Sequence, residues 1–169
     1  PIGLLFLWPG LIVMITGIFY KFKGFTEIEA LRGTLEGDLI FEKDSIIINN
    51  ESYSLDEINT IKISNDDYRG KLIHFTQGNA GPALSNGTNN YLVIFFKSKD
   101  TMKVFFELIN SNDFQKTKPI LIEYYLKKKI DFEELKYVLG EKSRSDNREL
   151  KEEINKIRDS KETLASQNL

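Results

Sequence analysis

Apolar and polar positions divide the chain into three stretches. Pro1–Tyr20 reads PIGLLFLWPGLIVMITGIFY, twenty residues with no charge and no polar face. Eleven of them are Leu, Ile, Val or Phe, worth about −3 to −7 kcal/mol on an insertion scale before the Gly and Pro penalties. As a helix the run is about 30 Å long, the thickness of a bilayer's hydrocarbon core. The pattern predicts a transmembrane helix over residues 1–23. A cleaved signal peptide would need basic residues before the run and a small-residue site after it. Ile18–Lys23 is instead bulky and basic, with Phe19, Tyr20, Phe22 and Phe25 as an aromatic belt. Gly3, Gly10 and Gly17 recur every seven residues and share one helix face, where a second membrane helix can approach closely. Pro9 predicts a kink beside Gly10.

A juxtamembrane linker, residues 24–32, leads to a second stretch with the two-residue period of strands. Leu39–Phe41 and Ile46–Ile48 flank a polar turn at Glu42–Ser45, and Asn49-Asn50-Glu51 makes another turn before Ser52–Leu55. Ile61 and Ile63 alternate within Thr60–Ser64. Tyr91–Lys97 and Met102–Asn110, joined by Ser98–Thr101, read as a core hairpin. A helix follows from about Thr117–Lys118 to Lys129, with Asn112 and Gln115 as a capping box before it. Lys127, Lys128 and Lys129 sit at its end, either solvated and matched to the helix dipole or against anionic lipid. Asp131 with Glu134, then Gly140, bracket a shorter second helix.

The order Asp44-Ser45-Ile46-Ile47-Ile48, Tyr53-Ser54-Leu55-Asp56-Glu57-Ile58, Ile61-Lys62-Ile63 resembles the first half of a bacterial pleckstrin-homology-like domain. The resemblance covers roughly Gly33–Ile130. It implies a small antiparallel β-barrel or sandwich closed by a C-terminal helix, and a binding or scaffolding role, often tethered to a membrane. The basic phosphoinositide-binding loop of eukaryotic members has no counterpart, since Lys43 stands between Glu42 and Asp44. The fold class expected is therefore α+β: a transmembrane helix (1–23), a PH-like β-domain with its helices (33–140) and a polar helical tail (141–169). The positive-inside rule, applied to Lys21 and Lys23, puts the domain on the cytoplasmic side of a bacterial inner membrane. An exported envelope protein would carry the same tether in the opposite orientation.

Within this frame Lys71–Thr76 reads as a short strand, but Asn65–Asn90 as a whole is the least strand-like segment and holds four of the eleven glycines. Long loops in compact domains are usually functional or mobile. Asp66, Asp67, Arg69 and Lys71 are its candidate binding residues, with Arg69 and Lys71 either pairing the aspartates or holding an anion with His74. Asn65-Asp66-Asp67 and Gly70 lack the alternate ligands and distal Glu of a calcium loop, so no metal is expected. No phosphate-loop lysine follows the glycines either.

In the tail, Leu150, Ile154, Ile157 and Leu164 fall at heptad spacing, with Lys161 in the missing place. They form a seam either for a partner helix or self-association, or for the chain's own domain.

Composition narrows the chemistry. The 23 basic and 25 acidic residues nearly balance, which argues against nucleic acid. No cysteine and one histidine leave no thiol nucleophile and little room for metal or acid–base sites, so no catalytic residue and no cofactor are expected. The reading that follows is a membrane-anchored, non-enzymatic interaction or scaffold module. It could serve as an accessory subunit of a membrane complex, with the bilayer and a protein as its partners. A ligand-sensing or enzymatic domain using the 65–90 loop is the alternative.

Overall fold

The computed structural model describes residues 3–31, 33–73 and 81–167, with the side chains at 3–8, 21–22 and 162–167 outside the description. β-Branched and aromatic alternation builds three antiparallel sheets. The first is a meander of β1 (Leu39–Phe41), β2 (Ser45–Ile48) and β3 (Glu51–Ser54). Asn49 and Asn50, at φ 50 and 69, form the two-residue turn between β2 and β3, a backbone asparagine tolerates better than most residues.

The second sheet runs β4 (Ile58–Ser64), β7 (Asn90–Phe96), β8 (Thr101–Phe106), with Ile61 opposite Ile94 and Ile63 opposite Leu92. The third is β5 (Arg69–Leu72) with β6 (Leu84–Asn86). Two strands thus lie inside the segment that reads as a loop, while His74 and residues 75–80 are outside the described residues.

Among the described residues four α-helices accompany the sheets, α1 (Gly3–Thr26), α2 (Lys118–Leu126), α3 (Phe132–Leu139) and α4 (Arg144–Gln167), with a short 3-10 turn at Asp113–Thr117 before α2. Pro119 sits in the first turn of α2, where its missing N–H costs nothing. The capping box expected at Asn112 is not made. Asp113 instead accepts from the Asn110 N–H at 2.9 Å, and the Gln115 amide donates to the Leu139 carbonyl. At α3 the Asp131 carboxylate accepts from Glu134 N–H at 2.8 Å, and Gly140 ends the helix at φ 70.

Two expectations are corrected here. The sheets do not close into a barrel. The N–H groups of Ile61 and Ile63 on the free edge of β4 are taken by the Lys129 carbonyl at 2.8 Å and the Glu134 carboxylate at 2.7 Å. The α2–α3 turn therefore occupies the place of a further strand, and β1 and β8 keep one neighbour each. The membrane span over residues 1–23, and the inner-membrane location that rests on it, is also overturned. Among the described residues no helix is long and apolar enough to cross a membrane. Pro9, Gly10, Thr16 and Gly17 lower the apolar character of α1, and Lys23 follows.

One core joins sheets and helices. Ile46, Ile58, Leu92, Ile94, Leu121, Ile122, Leu135 and Leu150 are wholly buried in it. Tyr124 is buried too, and its hydroxyl donates toward the carbonyls of Glu42 and Ser45, each at 2.7 Å. Burial raises this phenol well above its ordinary value of 10.0. A raised folded-state pKa leaves stability untouched below the unfolded value and removes it as pH rises beyond. Unfolding free energy, read from urea midpoints, is expected to fall as pH passes 10, less steeply in Tyr124→Phe. Leu150→Ala is expected to cost about 2–5 kcal/mol, as for other buried leucines, in the same urea measurement.

Candidate functional site

The four charged residues nominated in the 65–71 segment go to three different places. Asp67 is buried with Ser85 and Asn90, the three buried polar residues among those described. Its backbone N–H donates to Asn90 Oδ1 at 2.9 Å, and its Oδ2 accepts from Ser85 Oγ at 2.7 Å and from Asn89 N–H at 3.0 Å. Ser85 Oγ also accepts from Gly87 N–H at 2.9 Å, and Asn90 Nδ2 donates to the Gly87 carbonyl at 2.8 Å. Each group is committed to another, as buried polar groups must be.

Gly87 is required at the centre of this knot. Its φ is +81, and a Cβ there would meet the Leu108 carbonyl at 2.4 Å and Arg69 N at 2.6 Å. Those two atoms are themselves hydrogen-bonded at 2.9 Å. Through the Ser85 Oγ bond to Asp67, the pair ties β6 to the segment just before β5. A hollow of about 380 Å³ outside the knot is lined by Glu29, Asp67, Ser85, Asn86 and Thr88 among others. No group of three His, Cys, Asp or Glu side chains among the described residues could hold a metal ion.

Asp66 and Lys71 face the other way, toward α3. Tyr137 Oη donates to the Asp66 carboxylate, and Lys71 Nζ donates to the Asp66 carbonyl. Burial, and then the bond to Asp66, raise the Tyr137 phenol. Nearby, Asn65 Nδ2 caps the Val138 carbonyl at 2.7 Å, satisfying an end group of α3. Arg69 is exposed and pairs with Glu107 at 3.9 Å, an arrangement worth little. The four residues therefore form no common site.

The tail seam is largely covered by the chain itself. Leu150 and Ile154 are core residues, and Ile157 packs against them. Lys118 reinforces the contact by pairing with Glu141 at 3.2 Å and Glu153 at 3.0 Å, and Lys161 pairs with Glu123. Leu164 lies outside the side chains described.

At the opposite end, α1 is moored by backbone pairing. Ala83 N–H donates to the Gly24 carbonyl at 2.9 Å, Leu84 N–H to Glu27 at 3.1 Å, and Glu29 N–H to Leu84 at 2.8 Å. This makes the parallel bridge of Ile28 with Leu84. Beyond the mooring, Leu11, Ile12, Val13, Met14, Ile15, Ile18, Phe19 and Tyr20 are exposed by 46–71%. They lie on every side of the helix. Among the described residues, no atom beyond the helix's own neighbouring backbone comes within 4 Å of a Cβ built on Gly10 or Gly17, while the surroundings of Gly3 are outside the described residues.

A cleft of about 590 Å³ between β1 and β8 was not legible in the sequence. Its floor includes Phe41, Ile48, Phe106 and Phe114, and Glu36, Asp38, Glu107 and Asp113 stand around it. The sequence signal is an acidic pair just before β1 and a glutamate just after β8, too sparse to be noticed before the strands are placed. Asp113 is held below the usual carboxylate range by Lys116 and then by the Asn110 N–H.

Because the knot is saturated, removing one member strands its partners. Asn90→Ala is expected to cost about 1–3 kcal/mol by leaving the Asp67 N–H unpaired, measured by urea unfolding, with hydrogen exchange quickening at residues 67 and 87. No family model, no curated protein and no solved structure matches this chain.

Proposed function

We propose that the chain is a non-enzymatic interaction module, its β-domain a rigid platform and α1 the element that a partner protein covers within a larger assembly. The exposed apolar surface of α1 carries the reading. A helix that is apolar on every side is normally enclosed, and contiguous apolar exposure on this scale marks an interaction site. Among the described residues no helix is long and apolar enough to cross a membrane, so the cover we propose is protein. The polar residues of the 65–90 region bond to one another, as suits a structural role.

Gly10 and Gly17 sharpen the test. In the free chain both are unopposed, so Gly17→Ala should strengthen the helix by up to about 1 kcal/mol. A partner packed against that face would make larger residues unwelcome. The chain and its co-purifying protein, isolated from the native host and remixed pure, are expected to protect the amides of residues 9–20 from hydrogen exchange. Gly17→Leu and Val13→Glu should abolish that protection without lowering the urea midpoint of the domain. A lone monomer whose α1 amides exchange freely at native concentration would sink the proposal.

A further inference from the structure

The cleft between β1 and β8 has unused bonding capacity. Each of these strands has a single hydrogen-bonded neighbour. In antiparallel ladders, bonded pairs alternate along the strand. Phe96 N–H donates to the Asp100 carbonyl at 2.9 Å, which sets the alternation so that Met102, Val104 and Phe106 bond to β7. The backbone groups of Thr101, Lys103 and Phe105 then aim at the free edge. On β1, Asn49 N–H to Asp38 at 3.0 Å and Glu42 N–H to Ser45 at 2.9 Å leave Leu39 and Phe41 aimed outward in the same way. Thr34–Leu39 borders the cleft, yet no backbone hydrogen bond among the described residues joins it to β8.

The floor is apolar and incompletely covered. Phe41, Ile48, Phe106, Leu108 and Phe114 keep 6–9% exposure, whereas no other buried hydrophobic residue exceeds 4%. All five line this cleft. The residual exposure of the core is thus gathered in one place.

Charge selects the occupant. Glu36, Asp38, Glu107 and Asp113 line the cleft and no Lys or Arg does, in a chain whose 23 basic and 25 acidic residues nearly balance. Asp113 is engaged by Lys116 and Glu107 by Arg69. Glu36 and Asp38 have no ion-pair partner among the described residues. Lys103, the nearest cation on β8, lies over the rings of Tyr91 and Phe105 at 4.0 and 4.9 Å from their centroids.

We propose that this cleft receives an extended basic segment of a partner protein, which adds as a strand to the free edge of β8. Its alternate apolar side chains reach the Phe41, Phe106 and Phe114 floor, and its Lys or Arg side chains meet Glu36, Asp38 and Glu107. Strand addition draws affinity from main-chain bonds and specificity from alternate side chains.

A synthetic peptide of alternating lysine and valine tests the idea by fluorescence anisotropy, with a glutamate–valine peptide as control. The basic peptide is expected to bind, and the control not. Glu36→Gln, Asp38→Asn and Glu107→Gln combined should weaken binding by about tenfold and flatten its salt dependence. Phe105→Pro removes an edge N–H that β7 does not use and should abolish binding. If circular dichroism finds that variant unfolded, the charge variant decides alone. Binding that is absent, equal for both peptides, or indifferent to the carboxylates overturns the proposal. So does a homodimer that Phe105→Pro dissociates, because a second copy would then fill the cleft. A chain that purifies alone yet binds the basic peptide would keep this inference while sinking the reading of α1.

Discussion

The architecture depends on how the second edge of β4 is satisfied. A strand in this position would ordinarily pair with another strand, and a barrel would follow. Here Ile61 and Ile63 give their N–H groups to the Lys129 carbonyl and the Glu134 carboxylate. A buried N–H left unmade costs more than a made bond gains, so these two bonds fix the α2–α3 turn against the sheet. Lys129 Nζ adds a third tie by donating to the Ile58 carbonyl at 2.6 Å. With the turn anchored, α2 places Tyr124 beneath the first meander, and α3 presents its last carbonyls to Asn65 and Gln115. β1 and β8, at other sheet edges, also lack second neighbours, and the cleft lies between them.

The polar knot does equivalent work on the far side. Gly87 lets the Leu108 carbonyl and the Arg69 N–H approach closely, and Asp67, Ser85 and Asn90 then absorb the turn's remaining donors. β6 is held rigidly enough to accept residues 24–30 as a parallel neighbour. The direction in which α1 leaves the domain is therefore set by backbone bonds. The apolar side chains from Leu11 to Tyr20 remain exposed.

Local patterns in the sequence were readable where one interaction dominates. The β7–β8 hairpin, the Asn49–Asn50 turn and the Gly140 stop each follow from short-range chemistry, and each stands in the fold. Long-range partners were not readable. Glu134 looked like half of a capping box, but its carboxylate reaches a strand 71 residues away. Gln115 likewise left its expected cap for the Leu139 carbonyl. Asp66 and Asp67 are adjacent in the connection between β4 and β5 yet go to opposite sides, one to Tyr137 and one to Ser85. The first twenty residues were the largest misreading. Their apolar run predicts a span, whereas among the described residues no helix is long and apolar enough to cross a membrane.

Two bare edges facing one apolar cleft would normally be a hazard, because an unpaired strand invites a copy of itself. The placement of the carboxylates bears on this. A second molecule docking edge to edge would bring its own Glu36, Asp38 and Glu107 against the first set, and like charges set opposite one another suppress that pairing. An extended basic segment meets the reverse condition, neutralising the rim while supplying the missing backbone bonds. One arrangement of charge thus discourages self-association through the cleft and favours a different occupant. By contrast α1 has no charged side chain between Pro9 and Tyr20, so nothing comparable guards it. Its selectivity has to come from shape, and the unopposed faces of Gly10 and Gly17 are where shape is most permissive of a close neighbour.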